Sequence, residues 1–217
     1  MHLFDSAQRK RVPYQGALLG ATALLASATL GFAYLQTAPL IKQQAAADLT
    51  ASLKAVIPGI DYDNDLLSDQ IVVAGGVGSA TTTVYRARRK GEVVAAVYQV
   101  SGKGYGGDIT AVMGLDNNGH ITAVRVVSHK ETPGLGDKIE AAKSSWITSF
   151  IGKGLDNLDE KGWHVRKDGG QFDQFSGATI TPRGLVAAIK GGVDLGAAHH
   201  QEIFTPATMQ LTKERAK

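Results

Sequence analysis

The chain has 217 residues, enough for one ordinary globular domain or a small pair, plus one further element. It contains no cysteine, which excludes thiolate chemistry, cysteine-ligated metals, iron–sulfur clusters, c-type haem attachment and disulfides. The net charge of +3 includes a basic cluster at Arg9, Lys10 and Arg11, and the remaining charge is nearly balanced, which argues against nucleic-acid binding.

The first predicted element is an apolar helix at residues 16–36. From Gly16 to Leu35 the only ionisable group is the Tyr34 phenol, and a helix of that length spans the hydrocarbon core of a bilayer. By the positive-inside rule, the basic cluster places residues 1–15 in the cytoplasm and the rest of the chain outside. A cleaved signal peptide is the alternative, supported by the small-residue triplet Ala26-Ser27-Ala28. The length of the apolar run favours an uncut, single-pass anchor.

After the anchor, the pattern changes from helical to β. Residues 37–58 are rich in helix formers and predict a stalk that ends at Pro58-Gly59. Residues 59–204 predict the globular domain, and residues 205–217 a polar tail. Asp116-Asn117-Asn118-Gly119 predicts a hairpin, because Asn-Gly supplies a positive φ. Five segments have β character: QIVVAG, TTTVYRARR, EVVAAVYQV, ITAVMGL and ITAVRVVSH.

The second half of the domain predicts two helices and another hairpin. Asp137 is expected to cap a helix that runs to Phe150, with one apolar face formed by Ile139, Ala142, Trp146 and Phe150. A hairpin is expected around residues 167–170. Thr181 and Pro182 predict the N-cap and first residue of a helix whose buried face contains Leu185, Val186, Ile189 and Val193. The predicted fold class is α+β, with an N-terminal transmembrane helix and a mostly antiparallel sheet with packed helices.

Several sequence patterns do not support a specific activity. Gly102, Gly104 and Gly107 form a literal G-x-G-x-x-G, but the segment that follows is β-like where a dinucleotide fingerprint needs a helix. A glycine-rich connection between strands is the favoured interpretation. His199 and His200 are adjacent and make a poor chelating pair, and no metal site is predicted. No nucleophile has a recognisable base beside it, so no catalytic residue is assigned.

Two loops carry candidate binding chemistry. In residues 129–137, Glu131 and Thr132 stand beside two glycines; such a loop can press backbone amides against a planar ring, although a purely structural turn explains it about as well. In residues 173–182, Gly177 and Ala178 leave the Thr179 hydroxyl open beside a predicted helix N-terminus, which favours an anion. A helix cap is the alternative role for a threonine in that position.

The second loop has a recognisable motif. Asp173-x-x-Ser176-Gly177-Ala178-Thr179 resembles the flavinylation motif of covalent FMN-binding domains. Together with Glu131–Gly136, Gly104–Gly107 and Tyr62–Asn64, it makes the chain closely similar to the G-subunit family of the Rnf (Rsx) electron transport complex. The similarity extends from the anchor to about Phe204.

The resemblance implies a cofactor and its attachment. FMN would be joined through its phosphate to the side-chain oxygen of Thr179, which serves as an attachment point. A magnesium-dependent flavin transferase, with FAD as donor, would recognise Asp173, Ser176, Gly177 and Ala178 after export. The further flavin contacts implied by the family are Glu131, Thr132, Gly134 and Leu135, together with Ser176, Gly177 and Ala178.

The implied function is that of an electron carrier in a complex that couples ferredoxin:NAD oxidoreduction to ion movement across the bacterial inner membrane. The main domain would be periplasmic, and the partners would be the other membrane subunits, the flavin transferase and the lipid bilayer. No NAD or ferredoxin site is apparent on this chain. The alternatives are the C subunit of the sodium-pumping NADH:quinone oxidoreductase, and an anchored binding or scaffold protein without flavin. Re-reduction of a redox-sensing regulator is a further output implied by the Rsx relatives.

Overall fold

The computed structural model describes residues 6–76 and 79–206. Two compact units divide the chain, the first ending at Asp48 and the second beginning at Leu49. The second unit therefore begins inside the segment expected to form the stalk. Residues 1–5 of the expected cytoplasmic segment and residues 207–217 of the expected tail lie outside the described residues.

The first helix, α1, spans Ser6–Ala55. Within it, Pro13–Ala55 is the one helical stretch of the described residues that is long and apolar enough to cross a membrane, judged by length and composition. Large apolar side chains along it, including those of Leu19, Leu24 and Leu30, are exposed. Such a surface is stable in lipid and unstable in water, so the apolar N-terminal helix agrees with the predicted anchor.

The sheet is an antiparallel meander in which each strand pairs with the next along the chain. The predicted turn between the last two strands is present: Asp116 Oδ1 accepts the backbone N–H groups of Asn118 and His120 at 2.9 Å, and Gly119 has φ 83°. The predicted α+β class is therefore confirmed. The strands are β1 Gln70–Ala74, β2 Thr81–Arg89, β3 Glu92–Lys103, β4 Asp108–Asp116 and β5 Ile121–Ser128.

The central strands of the sheet are buried on both faces. Along β3, Ala96 and Tyr98 belong to the core cluster that contains the apolar residues of the C-terminal helix, whereas Ala95 and Val97 belong to a second cluster with Leu53. Successive side chains on a strand point to opposite faces, so a strand covered on both sides is apolar throughout. This explains why EVVAAVYQV shows no alternation of polar and apolar residues.

The helix predicted from residue 137 to residue 150 is wrong. The segment forms two short 3-10 helices, Asp137–Ile139 and Ser145–Phe150. The Ser144 hydroxyl accepts the backbone N–H two residues further on at 3.1 Å, a local bond that competes with a continuous α-helix. Three of the four side chains expected on one face are buried, whereas Ala142 is exposed.

The hairpin predicted around residues 167–170 is also wrong. Arg166–Asp168 form a 3-10 turn that ends at Gly169, with φ 87°. The flanking residues Val165 and Phe172 pair as a parallel bridge, whereas a hairpin needs antiparallel ends. The left-handed glycine therefore ends a helical turn instead of joining two strands.

Helix α2 spans Ile180–Ala198, so it begins before the Thr181 cap that the sequence predicted. Its predicted apolar face is buried against β3 and β4. At Gly184 an added Cβ would lie 1.8 Å from the carbonyl oxygen of Lys103, so the helix touches the backbone of β3. A short helix, α3, follows at His200–Ile203. This close contact fixes the N-terminal end of α2 beside the end of β3.

Candidate functional site

A pocket of about 490 Å³ lies beside the N-terminal end of α2. Three segments that are distant in the sequence form it: the glycine-rich turn after β3, the loop after β5, and the turn that enters α2. Its volume lies within the range of small-molecule sites. The lining residues are Tyr105, Glu131, Thr132, Leu135, Gly136, Gly177, Ala178, Thr179 and Ile180.

Thr179 occupies the N-cap position of α2 without acting as a side-chain cap. Its backbone is helical, with φ −69° and ψ −27°, and its side chain makes no capping hydrogen bond. A residue that caps with its side chain ordinarily has extended backbone angles. The half-buried Thr179 side chain lines the pocket instead. Capping therefore does not account for this threonine.

Thr181, the predicted cap, has a different role. It is fully buried in the first turn of α2, and its hydroxyl donates a hydrogen bond to Glu131 Oε2. Glu131 Oε1 accepts the backbone N–H of Gly106 at 2.9 Å. One carboxylate therefore joins the three segments that form the pocket.

The glycine-rich turn packs closely against that carboxylate. An added Cβ at Gly104 would lie 2.2 Å from Glu131 Oε1, and one at Gly106 would lie 1.9 Å from the Lys130 carbonyl oxygen. The glycines are thus needed for internal packing, and strand β4 follows them where a dinucleotide fingerprint would need a helix. Tyr105 at the tip of this turn is 74% exposed and lines the pocket.

The loop after β5 is held by its own hydrogen bonds. The Thr132 carbonyl accepts the backbone N–H groups of Leu135 and Gly136, both at 3.1 Å, and Gly134 has φ 79°. The Glu131 backbone N–H donates to His129 Nδ1 at 3.1 Å, so the neutral imidazole carries its proton on Nε2. This tight turn leaves Thr132 and Leu135 exposed at the pocket.

An ion-pair cluster holds the segment that follows this loop. Lys143 Nζ lies 2.9 Å from Asp137 Oδ2 and 2.8 Å from Glu140 Oε1. Hydrogen bonds from Lys143 are the main reason that the pKa values of both carboxyls lie below their usual range. The same contacts raise the pKa of Lys143. The two acids are thus stabilised in their charged forms.

Three residues of the predicted site do not line the pocket. Gly134 lies in the turn between lining residues, and Ser176 is exposed beside Gly177. Asp173 is exposed, with Oδ1 3.1 Å from Arg166 Nε, and its carbonyl accepts the indole N–H of Trp146 at 2.7 Å. Asp173 and Ser176 are therefore accessible to another protein.

The sequence analysis missed three residues that line the pocket. Gly136 is the last residue of the Glu131–Gly136 motif, Ile180 follows the motif that ends at Thr179, and Tyr105 lies within the Gly-Tyr-Gly-Gly run, but none of the three was among the predicted flavin contacts. The position of Tyr105 between glycines was the available signal for a residue presented at the tip of a turn. Contact with the other two loops depends on the tertiary structure.

The lining of the pocket fits a flat heteroaromatic group that carries a phosphate. Leu135, Ala178 and Ile180 supply apolar surface, while Thr132 and the turn backbone supply polar groups. The N-terminus of α2 directs backbone N–H groups and the positive end of its dipole toward the Thr179 side, which favours an anion.

Comparison with known proteins gives concordant matches. Residues 104–194 match the model of the FMN-binding domain. The G subunit of the ion-translocating oxidoreductase complex of Cereibacter sphaeroides is 43% identical over 90% of this chain and 89% of its own length. The G subunit of Shewanella piezotolerans is 40% identical over 95% of this chain and 100% of its own length. The G subunit of Stutzerimonas stutzeri is 43% identical over 87% of this chain and 82% of its own length.

A more distant similarity exists among solved structures. The crystal structure of Shewanella oneidensis NqrC has a TM-score of 0.46 and 24% sequence identity, covering 65% of this chain and 74% of that chain. This similarity is too distant to show whether the chain is more closely related to NqrC or to the G subunits.

Proposed function

Because the chain belongs to the G-subunit family of ion-translocating oxidoreductase complexes and contains an FMN-binding domain, we propose that it relays electrons through FMN joined covalently to Thr179. The reaction of the whole complex would be ferredoxin:NAD oxidoreduction coupled to ion movement. Its partners are other subunits of the complex. Relatives named as the G subunit, at 40–43% identity, favour this function over that of the C subunit of the sodium-pumping enzyme. The FMN-binding domain disfavours a scaffold without flavin.

The pocket at the start of α2 is the observation that carries the proposal. It brings Glu131, Thr132 and Leu135 together with Gly177, Ala178 and Thr179, although the two groups lie more than forty residues apart in the sequence. Thr179 lines this pocket with a hydroxyl that caps no helix. An acceptor for a phosphoester bond thus lies at the wall of a cavity of suitable size.

The residues of the pocket would hold and orient the cofactor. Leu135 and Ile180 offer apolar surface to the ring faces, and Thr132 and the turn backbone offer hydrogen bonds to the ring edge. FMN supplies one-electron chemistry when bound, and the protein tunes it through position, hydrogen bonds and charge. Gly177 and Ala178 allow the phosphate to approach Thr179. Gly134, with φ 79°, allows the turn after β5 that carries Thr132 and Leu135.

Attachment of the cofactor requires a second protein. A flavin transferase would recognise the exposed Asp173 and Ser176 beside Gly177 and Ala178. The local structure supports such recognition because Arg166 and Trp146 hold Asp173 in place, while its carboxylate and the Ser176 side chain face solvent. A transferase would thus meet an ordered surface loop.

Covalent attachment suits the proposed location. The basic cluster before the apolar helix supports a cytoplasmic N-terminus and, with it, a periplasmic FMN domain. Free FMN is scarce outside the cytoplasm, so a cofactor lost there would not be replaced. A phosphoester bond prevents that loss.

Flavin fluorescence in a denaturing gel tests the attachment directly. The full chain and two single variants, Thr179→Ala and Thr132→Ala, are exported in cells that contain the flavin transferase. Thr132 is a matched control because it is also a threonine that lines the pocket. We expect fluorescent bands for the wild type and Thr132→Ala, and a band at least about 100-fold dimmer for Thr179→Ala, because only this variant lacks the attachment oxygen.

Either of two results would contradict the proposal. A dark wild-type band would exclude covalent flavin. A fluorescent Thr179→Ala band would move the attachment to another residue, which peptide mass mapping would then identify.

A further inference from the structure

Glu131 places a buried carboxylate in the wall of the pocket. Its residue surface is 6% exposed, and it is one of the lining residues. Its two oxygens accept hydrogen bonds from the Gly106 N–H and the Thr181 hydroxyl, which are both neutral donors. In residues 6–76 and 79–206, no lysine, arginine or histidine forms an ion pair with Glu131. Among these residues, the carboxylate therefore has hydrogen bonds but no counter-ion.

Another buried acid of this domain, Asp137, has a counter-ion. Asp137 is 4% exposed, but Lys143 lies 2.9 Å from its carboxylate, and it does not line the pocket. Buried charges are normally paired because removal from water is costly. Glu131 departs from this rule at the place where a ligand would bind.

Two lysines in the segments that form this pocket are in contact with water. Lys130 is exposed, and Lys103 is exposed and paired with Asp108 at 2.6 Å. Water and salt screen exposed charges much more effectively than buried ones. We therefore expect the buried Glu131 carboxylate to act on the inside of the pocket more strongly than either lysine.

We propose that Glu131 lowers the reduction potential of the flavin in this pocket. The inference rests on the proposed FMN site. When a donor gives one electron to FMN without a proton, the donor is oxidised by one electron and the FMN becomes more negative by one charge. A fixed negative charge in a water-poor pocket opposes that change. Uptake of a proton from water would cancel the added charge.

Glu131→Gln removes the charge and keeps the shape. The amide oxygen can accept the Gly106 N–H, and the amide nitrogen can donate to the Thr181 hydroxyl, which accepts as well as donates. The two hydrogen bonds that join the segments are thus retained. Asp137→Asn is the matched control, because it neutralises a buried acid six positions away that does not line the pocket.

The potential is measured on the full-length, exported proteins by equilibration with a reference dye, after covalent flavin has been quantified in a denaturing gel. For Glu131→Gln we expect the ratio of reduced to oxidised flavin at a fixed dye potential to rise about tenfold, equivalent to about 59 mV for one electron. For Asp137→Asn we expect a change of less than about twofold, since Lys143 neutralises Asp137 in the wild type.

The outcomes separate this inference from the proposed function. A wild type without flavin contradicts both. A Glu131→Gln protein with normal flavin content and an unchanged potential contradicts the inference alone, as does an equal shift in Asp137→Asn. If Glu131→Gln takes up no flavin, Thr181→Val replaces it and is measured at alkaline pH, where the carboxylate stays ionised: loss of the hydroxyl leaves the carboxylate less screened, so the potential is expected to fall. An unchanged or higher potential in that variant overturns the inference.

Discussion

At the scale of single residues, two threonines in one turn differ in chemistry because their hydroxyls have different surroundings. Thr181 is fully buried and bonded to Glu131, so its oxygen is inaccessible. Thr179 is half-buried at the pocket and makes no capping hydrogen bond. The sequence identified Thr179 through its motif but assigned the cap to Thr181. Residue type alone could not decide this, since either threonine is a good cap.

The Lys143 cluster predicts a pH-dependent stability. The pKa values of Asp137 and Glu140 are lower in the folded protein than in the unfolded chain. Their contribution to the free energy of unfolding is therefore fully present above the ordinary carboxyl pKa of about 4, and it is lost as pH falls through the lowered values. We therefore expect Lys143→Met to be less stable than the wild type at pH 7, with a difference that shrinks below about pH 4. Urea unfolding followed by tryptophan fluorescence between pH 7 and pH 3 measures it.

Lys153→Met is the control for this prediction. The side-chain hydrogen bond that Lys153 donates goes to the Gln171 amide oxygen at 3.4 Å, so its effect should not change as carboxylates are protonated. If the difference in unfolding free energy between the wild type and Lys143→Met were constant from pH 7 to pH 3, the ion-pair cluster would not act through charge.

At the scale of elements, the position of α2 determines the site. The helix packs on β3 and β4 with its predicted apolar face, and Gly102 and Gly184 bring the two backbones together. The sequence predicted all five strands, the turn at residues 116–119 and helix α2. It failed for residues 137–150 and 167–170, where side-chain hydrogen bonds and a left-handed glycine form short 3-10 turns. Such local competition is not visible in the apolar pattern.

The close contact at Gly184 predicts a destabilising substitution. A Cβ there would lie 1.8 Å from the Lys103 carbonyl oxygen, which is backbone and cannot move aside. We expect Gly184→Ala to lower the free energy of unfolding by about 2 kcal/mol, even though alanine is the better helix former by about 1 kcal/mol. Urea unfolding of the detergent-solubilised protein measures the change.

Gly192→Ala provides the comparison within the same helix. Its added Cβ would lie 2.4 Å from the Met113 sulfur and 2.7 Å from Val100 Cγ1, which are both side-chain atoms, and methionine side chains can rearrange. We expect Gly192→Ala to lower the free energy of unfolding by less than about 1 kcal/mol, which is less than the change expected for Gly184→Ala. Equal losses for the two variants would show that backbone contact is not the cause.

At the scale of the whole molecule, the proposed topology separates the ends of α1. The chain contains no cysteine, so single cysteines can report which side of the membrane a residue occupies. Asn118→Cys lies in the exposed turn between β4 and β5, and Ser6→Cys lies near the N-terminus. In spheroplasts, we expect a membrane-impermeant maleimide to label Asn118→Cys, and to label Ser6→Cys only after permeabilisation, because the bilayer shields the cytoplasmic side.

The alternatives give different labelling. The reverse pattern would place the domain in the cytoplasm. A mature chain that lacks the Ser6→Cys peptide would identify a cleaved signal peptide in place of an anchor.

The sequence by itself determined the family and the fold class and supplied the motif on which the proposed attachment rests, because these depend on local patterns: an apolar run, β-rich segments, an Asn-Gly turn and the order of two motifs. Tertiary structure alone decided how those motifs meet. Gly106, Glu131 and Thr181 are distant along the chain, and only the folded sheet and α2 bring them into hydrogen-bonding contact. The same packing buries the Glu131 carboxylate between two neutral hydrogen-bond donors and leaves the Thr179 hydroxyl at the pocket, since burial and partners are properties of the assembled core.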